Sequence, residues 1–200
     1  MNELLTPPPA LVLLKISFDA DQQSEELNYI ALRETAPTPD PQPAQGGHAD
    51  SLYFAPGEQV AIQIICSGGT ENGFASFQIV DCAILTRPQV VQRAPGMRTQ
   101  FASPSPFLQA IGAWCPLALD FQATIEESAT GSLVVAQQWK RTLDVGYSAG
   151  FWDLSFVMTV RITRGAGAVD EVRVFSFDPE CEVGTTGTLK ERGRRPAGVN

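Results

Sequence analysis

The sequence predicts an all-β protein: an antiparallel β-sandwich, immunoglobulin-like or jelly-roll-like, with at most one or two short helices. Two observations carry that expectation. Residues 151–183, FWDLSFVMTVRITRGAGAVDEVRVFSFDPECEV, form the clearest hairpin in the chain. Trp152, Leu154, Phe156, Met158, Val160 and Ile162 recur at period two, while Asp153, Ser155, Thr159, Arg161 and Thr163 alternate opposite them. That is the pattern of a strand with one core face and one wet face. A helix would scatter the same apolar positions around its circumference, and Thr, Val and Ile suit a pleated surface. The break Arg164-Gly165-Ala166-Gly167-Ala168 supplies glycines for a reversal, residues 169–177 return antiparallel, and Asp178-Pro179 stops the pairing. The second observation is that the rest of the chain reads as many short apolar runs separated by turn chemistry, the arrangement of a sandwich rather than of alternating helices and strands.

Residues 10–18, ALVLLKISF, make the first strand; their nearly continuous apolar character predicts a central position with both faces covered. Residues 22–32 are expected to form a short helix, with Ser24 as cap and Glu25 and Glu26 in its first turn. Residues 35–50, TAPTPDPQPAQGGHAD, are a proline-rich loop that packs little. Residues 51–54 lead into the turn Ala55-Pro56-Gly57-Glu58, and 59–66 follow as a strand with Val60, Ile62 and Ile64 on one face. Residues 67–73 read as an open loop. Residues 74–85 are a strand in which Phe77, Ile79 and Asp81 alternate against Gln78, Val80 and Cys82. Residues 87–106 are irregular apart from Val90 and Val91; 107–121 are apolar; 132–136 and 138–145 are two short strands.

The chain has 200 residues, which suits a single domain over 1–183 with the 35–50 loop inside it, followed by a disordered basic tail at 184–200. Lys190, Arg192, Arg194 and Arg195 against Glu191 give the tail +3, leaving −11 on the rest of a chain of net charge −8. The acidic balance argues against a nucleic-acid surface, so no nucleic-acid partner is expected. The N-terminal apolar run has no basic leader and follows three prolines, unlike a secretory signal. No run approaches the roughly 20 apolar residues of a membrane helix, so no membrane partner is expected either. Cys66, Cys82, Cys115 and Cys181 are widely spaced and strand-borne. They are expected to be buried free thiols, which fits a cytoplasmic location.

Catalytic patterns are absent. The one histidine, His48, lies in the proline-rich loop, and no two candidate zinc ligands are close in sequence. There is no phosphate-binding glycine motif. The expectation is therefore no enzyme, no cofactor, and no metal beyond one weak pattern. That pattern is Asp19 and Asp21 at a strand end with Glu25 and Glu26 beyond, oxygen ligands of the calcium type but without the glycine and closing glutamate of a calcium loop; a solvated strand end competes with it. Among the tryptophans, Trp152 belongs to the core face, whereas Trp114 and Trp139 have rings that could stack on a sugar or a partner, with core as the competing reading. Trp114, Trp139, Asp19 and Asp21 are the candidate ligand or partner surface.

With these segments placed, LLKISFDAD, SLYFAPGEQVAIQI, FWDLSFVMTVRIT and VRVFSFDPECEV together resemble the PixA/AidA family of bacterial inclusion-body proteins. The likeness runs over most of residues 10–183. This chain departs from the family's pattern in its proline-rich insertion, its low methionine content and its basic tail. The resemblance implies a soluble, non-enzymatic bacterial β-sandwich without settled molecular activity, self-associating as a structural or interaction protein. A homodimer is expected, on that likeness and on strand edges at 51–54 and 132–136 that carry no guarding lysine. The alternative is a carbohydrate or small-ligand binding module built on loop aromatics and acids.

Overall fold

The computed structural model describes residues 10–34, 42–44, 51–91, 100–127, 131–165 and 169–184. In chain order the strands are β1 (Leu11–Asp19), β2 (Asn28–Glu34), β3 (Gln42–Pro43), β4 (Leu52–Phe54), β5 (Gln59–Gly69), β6 (Phe74–Pro88), β7 (Val90–Val91), β8 (Gln100–Phe101), β9 (Trp114–Pro116), β10 (Phe121–Glu127), β11 (Ser132–Asp144), β12 (Gly150–Arg164), β13 (Glu171–Phe177) and β14 (Glu180–Val183). One sheet runs β10-β11-β5-β1-β2-β3. The other runs β4-β14-β12-β6-β9, with β13 also beside β12, and β7 pairs with β8 separately. No helix occurs among the described residues.

The two sheets face each other as a sandwich because each central strand offers one uniformly apolar row. Val12, Leu14, Ile16 and Phe18 of β1 and Val60, Ile62, Ile64 and Cys66 of β5 are buried from one side. From the other come Trp152, Leu154, Phe156, Met158, Val160 and Ile162, the face read from the sequence. Aromatic rings bridge the layers: Phe18 meets Phe77 edge-on at 5.4 Å and Phe175 at 4.7 Å, and Tyr29 stacks on Phe177 at 4.4 Å. Such offset and edge-on pairs suit the ring quadrupoles as well as burying area.

Among the described strands, pairing is antiparallel except for β1 with β5 and β14 with β4. The first exception follows from the path of the chain. After β1 and β2 it crosses to the other sheet as β4, then returns through the 55–58 turn to lie beside β1 in the same direction, the long crossover that a parallel pair requires. The return is pinned by a buried ion pair. Arg33 Nε and Nη2 donate to the two oxygens of Glu58 at 2.6 and 3.1 Å, Arg33 Nη2 also donates to the Tyr53 carbonyl, and the Ala55 N–H donates to Glu58 Oε2. Gly57, at φ 80°, takes the left-handed conformation this turn needs.

Several expectations are corrected. Residues 22–32 are not a helix. Residues 28–34 are β2, because the apolar ladder beside β1 outweighs the capping pattern at Ser24, whose hydroxyl instead accepts from the Glu26 N–H within a loop. β1 is central, with one face fully buried and the other half-buried. Residues 67–69 continue β5, and 132–144 form one strand with a register shift between Gln138 and Thr142 where two strands were expected. That strand lies between β10 and β5, so 132–136 is no edge. β10 was not anticipated. In β6 the pairing with β12 jumps from Asp81 to Ile79, leaving Val80 as a bulged extra residue, so Cys82 rather than Asp81 turns inward. The proline-rich segment packs at residues 42–44, where β3 pairs with β2 and Ala44 is buried. The remainder of 35–50, including His48, and the basic tail beyond residue 184 lie outside the described residues.

Candidate functional site

At one end of the sandwich, residues 20–27 cross from β1 to β2 as a strap over the β12–β13 hairpin. Two arginines hold it. Arg164, at the end of β12, donates to the Ala20 carbonyl (3.1 Å) and the Asn72 carbonyl (3.2 Å) and forms an ion pair with Asp21 at 2.9 Å. Arg173, on β13, donates to the carbonyls of Gln22 and Ser24, and its guanidinium lies 4.6 Å from the centre of the Phe175 ring. Further along, the Ser176 N–H donates to the Glu25 carbonyl and the Leu27 N–H to the Ser176 carbonyl. The strap therefore joins the two sheets. Between strap and hairpin is a cleft of about 300 Å³ lined by Ala20, Asp21, Gln22, Gln23, Arg164, Glu171 and Arg173.

The cleft is charged but largely self-neutralised. Asp21 accepts from the Asn72 amide at 2.8 Å as well as from Arg164, and these contacts, Asn72 first, hold its carboxyl below the usual aspartate range. Asp19 accepts from the Asp21 N–H and the Ser67 hydroxyl. Glu171 is the loosely held member, 3.8 Å from Arg164 and 3.7 Å from Arg173. The Asp19–Asp21 pair is thus committed to local partners. Among the described residues no cluster of three carboxylate, histidine or cysteine groups is placed to hold a metal ion.

Trp139 is buried, its indole N–H donated to the Ala118 carbonyl at 2.8 Å and its ring against Phe121. Trp114 stands at the opposite end of the second sheet from the cleft. It belongs to β9, opposite Leu85 of β6, and is set by a two-residue turn in which Gly112, at φ 66°, precedes Ala113 and the Ile111 and Trp114 backbones bond each other. β6 runs from Phe74, beside Arg164, to Leu85, beside Trp114, a span of roughly 35 Å at about 3.3 Å per residue. The four candidate residues therefore occupy three separate places and do not converge.

On the outer face of the second sheet, apolar side chains of several strands are exposed among polar neighbours such as Ser155, Thr159 and Arg161. Trp114, Leu85, Val80, Val157, Val174 and Val172 are exposed to between 37% (Val157) and 58% (Val172). Sequence reasoning singled out Trp114 alone because the others alternate with polar residues on strands whose lateral order is a tertiary fact. It also missed Arg164 and Arg173. Their signal was parity: Arg164 continues the row of Ile162, and Arg173 that of Phe175 and Phe177, so both fall on the core side of their strands.

All four cysteines are free and buried, and burial raises the pKa of every thiol above its ordinary value. No helix among the described residues is long and apolar enough to cross a membrane.

The site so described is a polar, internally paired cleft on an all-β sandwich whose outer sheet face exposes several apolar side chains. No family model matches the sequence, and no curated protein matches it. Among solved structures the chain bears a distant likeness to an inclusion body protein, PixA, from Burkholderia cenocepacia J2315, at 12% identity and TM-score 0.35 over 92% of this chain and 100% of that one. It is also similar to amebosin, at 14% identity and TM-score 0.23 over 67% of this chain and 88% of that one.

Proposed function

We propose that this chain is a non-enzymatic, cytoplasmic β-sandwich protein that works by self-association, as a two-fold homodimer. The observation that carries the reading is the outer face of the second sheet, where Trp114, Leu85, Val157, Val172 and Val174 remain exposed together. By the pairing register these side chains run diagonally from β9 through β6 and β12 to β13, exposed apolar surface marks interaction sites, and closed two-fold pairs are the commonest soluble assemblies. The non-enzymatic part is supported by the cleft, whose carboxylates and guanidiniums are spent on one another and on the strap backbone. The cytoplasmic part is supported by four buried, unpaired thiols. A carbohydrate or small-ligand module has less support, since Trp114 and the Asp19–Asp21 turn lie at opposite ends of β6.

The −11 body opposes association, but over a Debye length of about 8 Å at physiological salt that repulsion is screened, whereas apolar burial is not. The expected result is a dimer in sedimentation experiments at micromolar concentration that tightens as salt rises. A single species of monomer mass in both low and high salt would refute the proposal.

A further inference from the structure

The edge of β13 has a hydrogen-bonding pattern and a charge order that complement themselves. The Ser176 N–H and carbonyl point away from β12, since they bond Glu25 and Leu27 of the strap. Pairing with β12 continues without a shift over residues 171–177. Alternation then makes Val172 and Val174 point their backbone N–H and carbonyl groups the same way. Among the described residues no backbone or side-chain partner meets those groups. The strap covers only the Ser176 end. Val172 and Val174 also expose their side chains on the outer face, and the edge carries no lysine, proline or bulge; its guarding charges are Glu171 and the inward Arg173, which are of opposite sign.

We infer that two copies of the chain join by antiparallel pairing of β13 with β13 about a two-fold axis through Val172. This rests on the proposed self-association and places its contact at the sheet edge, where pairing continues the outer face across two copies rather than covering it. Charge selects the register. An axis at Val172 sets Glu171 of each copy directly opposite Arg173 of the other, two cross-strand pairs of opposite charge. An axis at Arg173 would instead set guanidinium against guanidinium and drive the second chain into the strap at residues 25–27. Glu171 is free to turn outward, being held only at 3.7 and 3.8 Å in the single chain. In the favoured register Val172 exchanges two hydrogen bonds with its own mate, Val174 pairs with Asp170 on either side, and the valines of both copies form one outer apolar row. The other seven-residue edge strand, β10, carries Glu126 and Glu127 without a cation, so it offers no such complement.

Cysteine cross-linking tests the register. Val172→Cys lies on the axis and should form a disulfide-linked dimer under mild oxidation, whereas Val174→Cys, facing Asp170, should not. The four native thiols are buried and stay out of the reaction in the folded protein. Val172→Pro removes a donor that β12 does not use, so the monomer should keep its far-ultraviolet spectrum while the dimer weakens about ten-fold or more through two lost net hydrogen bonds. Val172→Lys, a purely side-chain guard, should weaken it too and serves if the proline variant unfolds. A wild-type dimer whose Val172→Cys form does not link, or which tolerates the proline and lysine variants, overturns the β13 contact while leaving self-association standing. A monomeric wild type overturns both.

Discussion

Replacing Phe156 by Ala isolates the register of the central strand from everything else in the fold. Phe156 is fully buried, lies between Ile84 of β6 and Phe177 of β13 in the pairing, and stacks on the Phe177 ring at 5.2 Å. Removing its ring forfeits about 2–3 kcal/mol of transfer free energy. A residual cavity on the order of 80 Å³ adds about 2 kcal/mol at about 24 cal/mol per Å³, for a total of about 4–5 kcal/mol. The lost ring pair keeps the figure toward the upper end. Val157, the next residue, faces solvent on the same strand, so Val157→Ala should cost less than about 0.5 kcal/mol. Urea unfolding of the two variants beside the wild type measures both. A loss under about 1 kcal/mol at Phe156, or equal losses at both positions, would show that the face assigned to the core is wrong.

Glu58→Leu strands the Arg33 guanidinium, most of whose side chain is buried, and should destabilise by about 3–5 kcal/mol; adding Arg33→Met should recover a large part of that loss in the same denaturation assay. The failure of the double variant to recover would mean the pair is needed for the turn itself. Stability against pH should show a plateau with a fall at each end. Asp21 and Asp153 have folded-state pKa values below their unfolded ones, through Asn72 and Gln89 first and Arg164 and Arg87 next, so the unfolded chain binds protons sooner. Their contribution is present above about pH 4 and is lost as pH falls through and below that value. The buried thiols act oppositely: their folded pKa values are raised, so stability holds below about pH 8 and declines as unfolded thiols ionise above it. Thermal melts across pH 2–10 check both; Asp21→Asn should flatten the acid limb, and an unchanged limb would remove the strap ion pair from the account.

The row Trp152 to Ile162 was legible in the sequence because period-two burial is a local property: each side chain's face follows from its neighbours along one strand. The buried thiols, the 55–58 turn and the break at Asp178-Pro179 were legible for the same reason, each being set by a few adjacent residues. The strap was not. Ser24, Glu25 and Glu26 carry a helix-start pattern, and only the ladder from β1 and the grip of Arg164 and Arg173, far away along the chain, make residues 20–34 a strap and a strand. The Val80 bulge likewise exists only against β12. By itself, then, the sequence determined the class of fold, the core face and the state of the thiols. Tertiary structure alone decided the parallel return of β5 beside β1, the closing of the charged cleft, and which strand edges stay unpaired. Those depend on which segments become neighbours, because hydrogen bonds and ion pairs between distant residues require sheets that burial of the apolar rows holds together.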